Sequence, residues 1–114
     1  DFERAVRDAL RLYHDIAALD ASPLAQCDAV RAAASSGEAP AETLRRMLIE
    51  QAQALRERPR DAKFWRALEL TYFRPAGTQE LAAERLSLPF GTYRYQLATG
   101  IERVVQGLWA RETG

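Results

Sequence analysis

Apolar residues recur along this chain at three- and four-residue steps and nowhere alternate one in two, a pattern that predicts amphipathic helices and no strands. Residues 1–19 make the first helix. Phe2, Val6, Ala9, Leu10, Tyr13, Ile16 and Ala17 fall on one side, with Glu3, Arg4, Arg7, Asp8 and Arg11 on the other. Ser22 followed by Pro23 has the form of an N-cap with proline at the first helical position. It opens a second helix to about Ala34, with Leu24, Cys27, Val30 and Ala34 inward. The run Ser35-Ser36-Gly37-Glu38-Ala39-Pro40 breaks helix and is the best linker candidate. A third helix is predicted from about Ala41 to Arg58, with Leu44, Met47, Leu48, Ala52 and Leu55 inward.

Arg56-Glu57-Arg58-Pro59-Arg60 is a basic joint punctuated by proline, and Asp61 is placed to cap the helix after it. That helix, about 62–73, is the most aromatic stretch, holding Phe64, Trp65, Leu68, Leu70, Tyr72 and Phe73. Pro75 and Gly77 end it. Thr78 then caps a short helix to about Leu86, with Glu80 near its positive end. After a tight turn at Ser87-Leu88-Pro89, a last helix runs from about Phe90 to Arg111, with Tyr93, Leu97, Ile101, Val104, Leu108 and Trp109 counted inward. The expectation is an all-α fold of about six helices, three on each side of the joint. Residues 1–60 form an N-terminal three-helix segment and residues 61–114 a second segment, together one compact domain. The start at Asp1 without methionine points to a piece excised from a larger protein.

Composition narrows the chemistry. With 114 residues, 47% of them hydrophobic, the chain is long enough to bury a core without disulfides or metals. One cysteine, Cys27, excludes an internal disulfide and a multi-cysteine zinc site, and one histidine, His14, excludes a histidine-rich metal site. Cys27 reads as a small core hydrophobe and His14 as a structural residue near the edge of an apolar stripe. Carboxylates such as Glu3 and Asp8 have an arginine three or four residues on, the spacing of solvated helix pairs. Arg45-Arg46 and Arg56–Arg60 read as solvated, the second run also being able to meet phosphates flanking a groove. No acid/base pair, nucleophile–base set, metal cluster or glycine-rich phosphate loop stands out, so neither an enzyme nor a cofactor is expected. No apolar run approaches the roughly 18 residues of a membrane helix and no leader precedes a cleavage site, which fits a cytoplasmic protein.

Sixteen Lys+Arg balance 16 Asp+Glu, a formal charge of zero that counts against a strongly basic nucleic-acid binder. Residues 1–60 hold 9 basic and 10 acidic side chains and residues 61–114 hold 7 and 6, so the second segment is barely basic. From Phe90 onward, however, Arg94, Arg103 and Arg111 meet only Glu102 and Glu112, which leaves room for a local DNA-facing surface while limiting its strength. Lys63 is the sole lysine and alanine is abundant, the bias of a GC-rich bacterial genome.

The segment from Gln79 to Ala98, QELAAERLSLPFGTYRYQLA, has the spacing of a helix-turn-helix. Ala82 and Ala83 are small where two helices must approach, Leu86 and Leu88 bracket Ser87 at the turn, and Tyr93 and Leu97 anchor the second helix to the first. A sharp turn of this kind leaves one side of the second helix projecting, able to enter a major groove. Residues 62–110 resemble region 4 of bacterial sigma factors and related regulators, and FWRALELTYF resembles the helix preceding the motif in that family. The resemblance implies a wingless, trihelical DNA-binding end. Its recognition helix starts near Phe90, and Phe90, Gly91, Thr92, Arg94 and Tyr95 face the bases, Arg94 toward a guanine edge. Arg74, Arg85 and Arg103 are then available for bases or backbone.

Pro89 stands where the family has a Ser or Thr cap, and Phe90 and Gly91 stand where polar residues are common. Two readings therefore remain. One is a DNA-binding module of a bacterial transcriptional regulator, with double-stranded DNA as partner and the first segment as spacer, coupling element or surface for a homodimer or for other domains of the parent protein. The other is a protein-interaction module that keeps the fold and uses Phe90, Gly91 and Tyr95 as an apolar contact patch.

Overall fold

The computed structural model describes all 114 residues, Asp1–Gly114, and contains helices and no strand. Seven α-helices follow one another: α1 (Phe2–Arg11), α2 (Ile16–Asp20), α3 (Asp28–Ala33), α4 (Pro40–Gln53), α5 (Ala62–Leu68), α6 (Gln79–Arg85) and α7 (Phe90–Thr113). Two 3₁₀ turns, Pro23–Gln26 and Ala54–Glu57, and a π-helical turn, Glu69–Phe73, join them.

The helix expected over residues 1–19 is two helices. The Asp15 carboxylate accepts from the Ala18 amide at 3.1 Å and starts α2 afresh, a side-chain cap outcompeting continuation of the helix. The register shifts with it, so Leu19 is buried while Ile16 and Ala17, expected inward, are exposed. The second expected helix is likewise divided. Ser22 caps only a 3₁₀ turn through its hydroxyl, and α3 begins anew at Asp28. The third gives way to 3₁₀ geometry at Ala54.

One core of 26 buried residues runs through both segments. At its centre is α7, which packs against α1, α3, α4, α5 and α6. Its 24 residues amount to about 36 Å of helix, nearly the 42 Å long dimension of the molecule. Tyr93, Leu97, Ile101, Val104 and Leu108 form the buried stripe, as the periodicity predicts. Trp109 departs from it, half-exposed and in edge contact with Phe2 at 5.0 Å. Gly100 lets α5 approach, since a Cβ there would meet Leu68 Cγ at 3.0 Å and the Phe64 carbonyl at 3.1 Å.

The polar residues of the breaker region form a clamp rather than a loose linker. Glu38 accepts from the Arg46 guanidinium at 2.8 and 3.1 Å, from the Ser35 amide and from the Thr43 hydroxyl, while Arg46 also donates to the Ala33 carbonyl at 2.8 Å. Arg46, expected in solvent, thus ties the end of α3 to α4. Arg45 is not solvated either: its guanidinium lies 4.5 Å from the centre of the Tyr13 ring and its Nε is buried without an acceptor. Arg56 stacks similarly over Trp65 at 5.3 Å. Asp61, expected to cap α5, makes no side-chain cap and instead accepts from Arg103 at 3.2 Å, buried against α7.

Replacing Gly100 by alanine crowds a backbone carbonyl and lowers stability in urea melts by a net of about 1 kcal/mol, overpacking outweighing the gain in helix propensity. Gly107→Ala meets only the flexible Gln51 side chain and is neutral or stabilising in the same assay. The Arg46 guanidinium, then the Ser35 amide and the Thr43 hydroxyl, pull the Glu38 pKa down from 4.5 to about 2. Because folding lowers this pKa, the Glu38 contribution is complete above pH 4.5 and is lost as the pH falls through about 2. Over that window the urea midpoint of the Glu38→Gln variant falls less steeply than that of the wild type.

Candidate nucleic-acid interface

The second segment is shaped by how its helices start and stop. Thr78 caps α6, its hydroxyl accepting from the Leu81 amide at 3.1 Å, as the sequence predicts. At the other end, the Leu88 amide donates to the Ala83 carbonyl and the Ser87 amide to the Glu84 carbonyl, each at 3.0 Å. Ser87 sits between them in the left-handed region at φ 56°. This paired closure usually has glycine at the left-handed position, and here serine bears the steric cost. The chain then turns through Leu88 and Pro89 into α7, whose first turn has no side-chain cap and no acidic residue. Ala82 and Ala83 are buried at the contact of the two helices.

Upstream, the expected helix over 62–73 widens into the π-helical turn at Glu69–Phe73. The Thr71 hydroxyl donates back to the Ala67 carbonyl at 2.7 Å and lies within hydrogen-bonding distance of the Tyr93 hydroxyl. The Tyr72 carbonyl meets His14 Nε2 at 2.9 Å, so the sole histidine ties the N-terminal segment to this turn. Tyr13, Phe73 and Trp65 continue the contact, Tyr13 edge-on to Phe73 at 4.8 Å and Phe73 stacked near Trp65 at 5.8 Å. Tyr93, fully buried, is therefore held from outside α7 as well as by its own helix.

Five of the eight residues expected at the interface share the first turns of α7. Phe90 is 41% and Tyr95 70% exposed, and Gly91, Thr92 and Arg94 are also exposed. The Arg94 guanidinium lies 5.8 Å from the Phe90 ring centre, and Phe90 and Tyr93 rings are 6.0 Å apart. Neither Arg94 nor Arg85 makes an ion pair, whereas Arg74 reaches Glu69 only at 4.0 Å. Arg103 does not join them. It lies about 13 Å farther along the helix axis than Arg94 and its guanidinium is held by Asp61 and the Phe64 ring. Leu81 on α6, 45% exposed, belongs to the surface and was not singled out from the sequence. An apolar residue in the middle of a helix gives no sign of that exposure in sequence, and the short α6 buries only Ala82 and Ala83.

Elsewhere the structure offers less. The largest cavity, about 580 Å³, lies among Phe2, Leu12, Leu24 and Cys27 and shares no residue with this face. Burial raises the Cys27 pKa, away from the thiolate that nucleophilic chemistry needs. No three His, Cys, Asp or Glu side chains converge on a common point, and no helix is long and apolar enough to cross a membrane. No protein-family model, curated protein or solved structure matches the chain.

The strained serine yields a test of the turn. Ser87→Gly removes the left-handed penalty at a position already solvent-exposed, and raises stability by about 0.5–1 kcal/mol. A urea midpoint unchanged or lowered by this substitution contradicts the geometry.

Proposed function

We propose that the chain is a non-enzymatic, DNA-binding helix-turn-helix module of a bacterial transcriptional regulator, acting in the cytoplasm, with α6 and α7 as the motif. The observation that carries this reading is the first nine residues of α7, Phe90–Ala98. They present Gly91, Thr92, Arg94 and Tyr95 to solvent on a helix anchored by buried Tyr93 and Leu97, with no carboxylate before Glu102. The uncapped amides of that first turn favour an approaching phosphate. Arg94 is free to reach a base edge, and Arg85 and Arg74 flank the helix as phosphate contacts. Arg103 serves the fold through Asp61 and is not part of the interface. A single face this small gives low affinity, so the module works as a homodimer or with other domains of its parent protein.

A second reading has its own observation. Leu81, Phe90 and Tyr95 are three of the five large hydrophobic side chains exposed on the molecule. Exposed apolar side chains around the start of α7 suit a protein partner.

Fluorescence anisotropy with duplex DNA separates the two. Two phosphate contacts predict weak binding whose logarithm falls with log salt at a slope of about −2. Arg85→Ala reduces the slope by about 1, Arg94→Ala weakens binding and relaxes sequence preference, and Arg103→Ala leaves the slope unchanged while lowering stability by about 1 kcal/mol. Absence of duplex binding even at low salt, together with loss of self-association in Tyr95→Ala, favours the protein-interaction module.

A further inference from the structure

The side chains on the first turn of α7 form an ordered stack rather than a set of independent contacts. Tyr93 is fully buried, with its hydroxyl against Thr71. The Phe90 ring leans on it with centres 6.0 Å apart and planes at 36°. The Arg94 guanidinium, one turn on, sits 5.8 Å from the Phe90 ring centre. Phe90 is thereby backed by a fixed residue yet remains 41% exposed, and Arg94 is steered toward it by the attraction between a cation and an aromatic face. Beside them a Cβ on Gly91 would meet nothing within 4 Å, so no side chain obstructs close approach of another surface.

In the major groove each half of this pair has one natural partner. The C5-methyl of thymine is the apolar group that base edges present there, while the O6 and N7 acceptors of guanine suit a bidentate arginine. The 5.8 Å separation falls short of two base steps of about 3.4 Å each, so the pair does not span an intervening base and the two bases it reaches are neighbours. We propose, resting on the DNA-binding reading, that α7 reads a thymine adjacent to a guanine. Phe90 covers the thymine methyl and Arg94 donates to the guanine edge. Phe90 is then a specificity-determining residue that acts through a methyl group.

The test begins with selection of preferred duplexes from a randomised pool by the intact chain, followed by anisotropy on the selected sequence. The selected sequences carry an adjacent thymine and guanine. Exchanging that thymine for deoxyuridine, which removes only the methyl, weakens wild-type binding about fourfold, equivalent to one buried carbon group at about 0.8 kcal/mol. Phe90→Ala binds the two duplexes equally, whereas Arg94→Ala loses the guanine preference and keeps the fourfold discrimination. Selected sequences lacking the pair, or equal wild-type binding to the thymine and deoxyuridine duplexes, overturn the proposal while leaving DNA binding intact. No binding to any duplex at low salt overturns both. The thymine–deoxyuridine comparison uses wild-type protein, so it decides the matter even where a variant fails to fold.

Discussion

One helix has to bury a continuous stripe against both halves of the chain while leaving its first turns in water, and most of the structure depends on that division. The inner stripe of α7 from Tyr93 to Leu108 is shared by α1, α3, α4, α5 and α6. The N-terminal segment is consequently part of the same core as the segment that follows. Burial of apolar area supplies the non-directional drive, and Gly100 sets how near α5 can come. The exposed beginning of the helix inherits its direction from that burial. Its orientation is set because the stripe from Tyr93 to Leu108 is packed.

Ionic contacts fix what apolar burial leaves free. Glu38 with Arg46 locks the passage from α3 to α4, and Asp61 with Arg103 joins the start of α5 to α7. Glu112 accepts from the Ala29 amide at 2.8 Å, capping α3 from the far end of α7 across 83 residues of sequence. That amide, and then the Cys27 thiol and the Asp28 amide, hold the Glu112 pKa below its ordinary value. These contacts are directional, so they specify which helix ends meet; the pairs are partly solvated, so their worth is more geometric than energetic.

Most helical stretches were legible because their cause is local. The caps at Thr78 and Ser22, the turn at Ser87–Pro89 and the stripe of α7 all follow from residue type and spacing within a few positions. What escaped has a non-local or competing cause. Asp15 could continue a helix or cap a new one, and the capped arrangement goes with burial of Leu19 in the shared core. The π-turn at Glu69–Phe73 has no signature of its own, since it is stabilised by Thr71 meeting Tyr93 and by Tyr72 meeting His14, partners 22 and 58 residues away. Arg103 and Arg94 look alike in sequence, and their fates diverge because Asp61 lies against only one of them. The candidate face was legible in its membership of α7 and illegible in which of its arginines remain free.

The zero net charge acquires a different meaning once the arginines are sorted by what they touch. Arg46 and Arg103 are held by carboxylates and carbonyls, Arg45 and Arg56 by aromatic rings, and Arg7, Arg11 and Arg31 by neighbours on their own helices. An arginine paired with a carboxylate adds to the count while adding little to the field outside the protein. The acids are also unevenly placed, none of them falling between Phe90 and Gln96. A chain can therefore be neutral as a whole and still present one unneutralised guanidinium at the tip of a helix. With so little charge behind it, long-range attraction to a polyanion is weak. On the proposed function, discrimination would then come from short-range fit of the Phe90 ring, the Gly91 gap and the Arg94 fork.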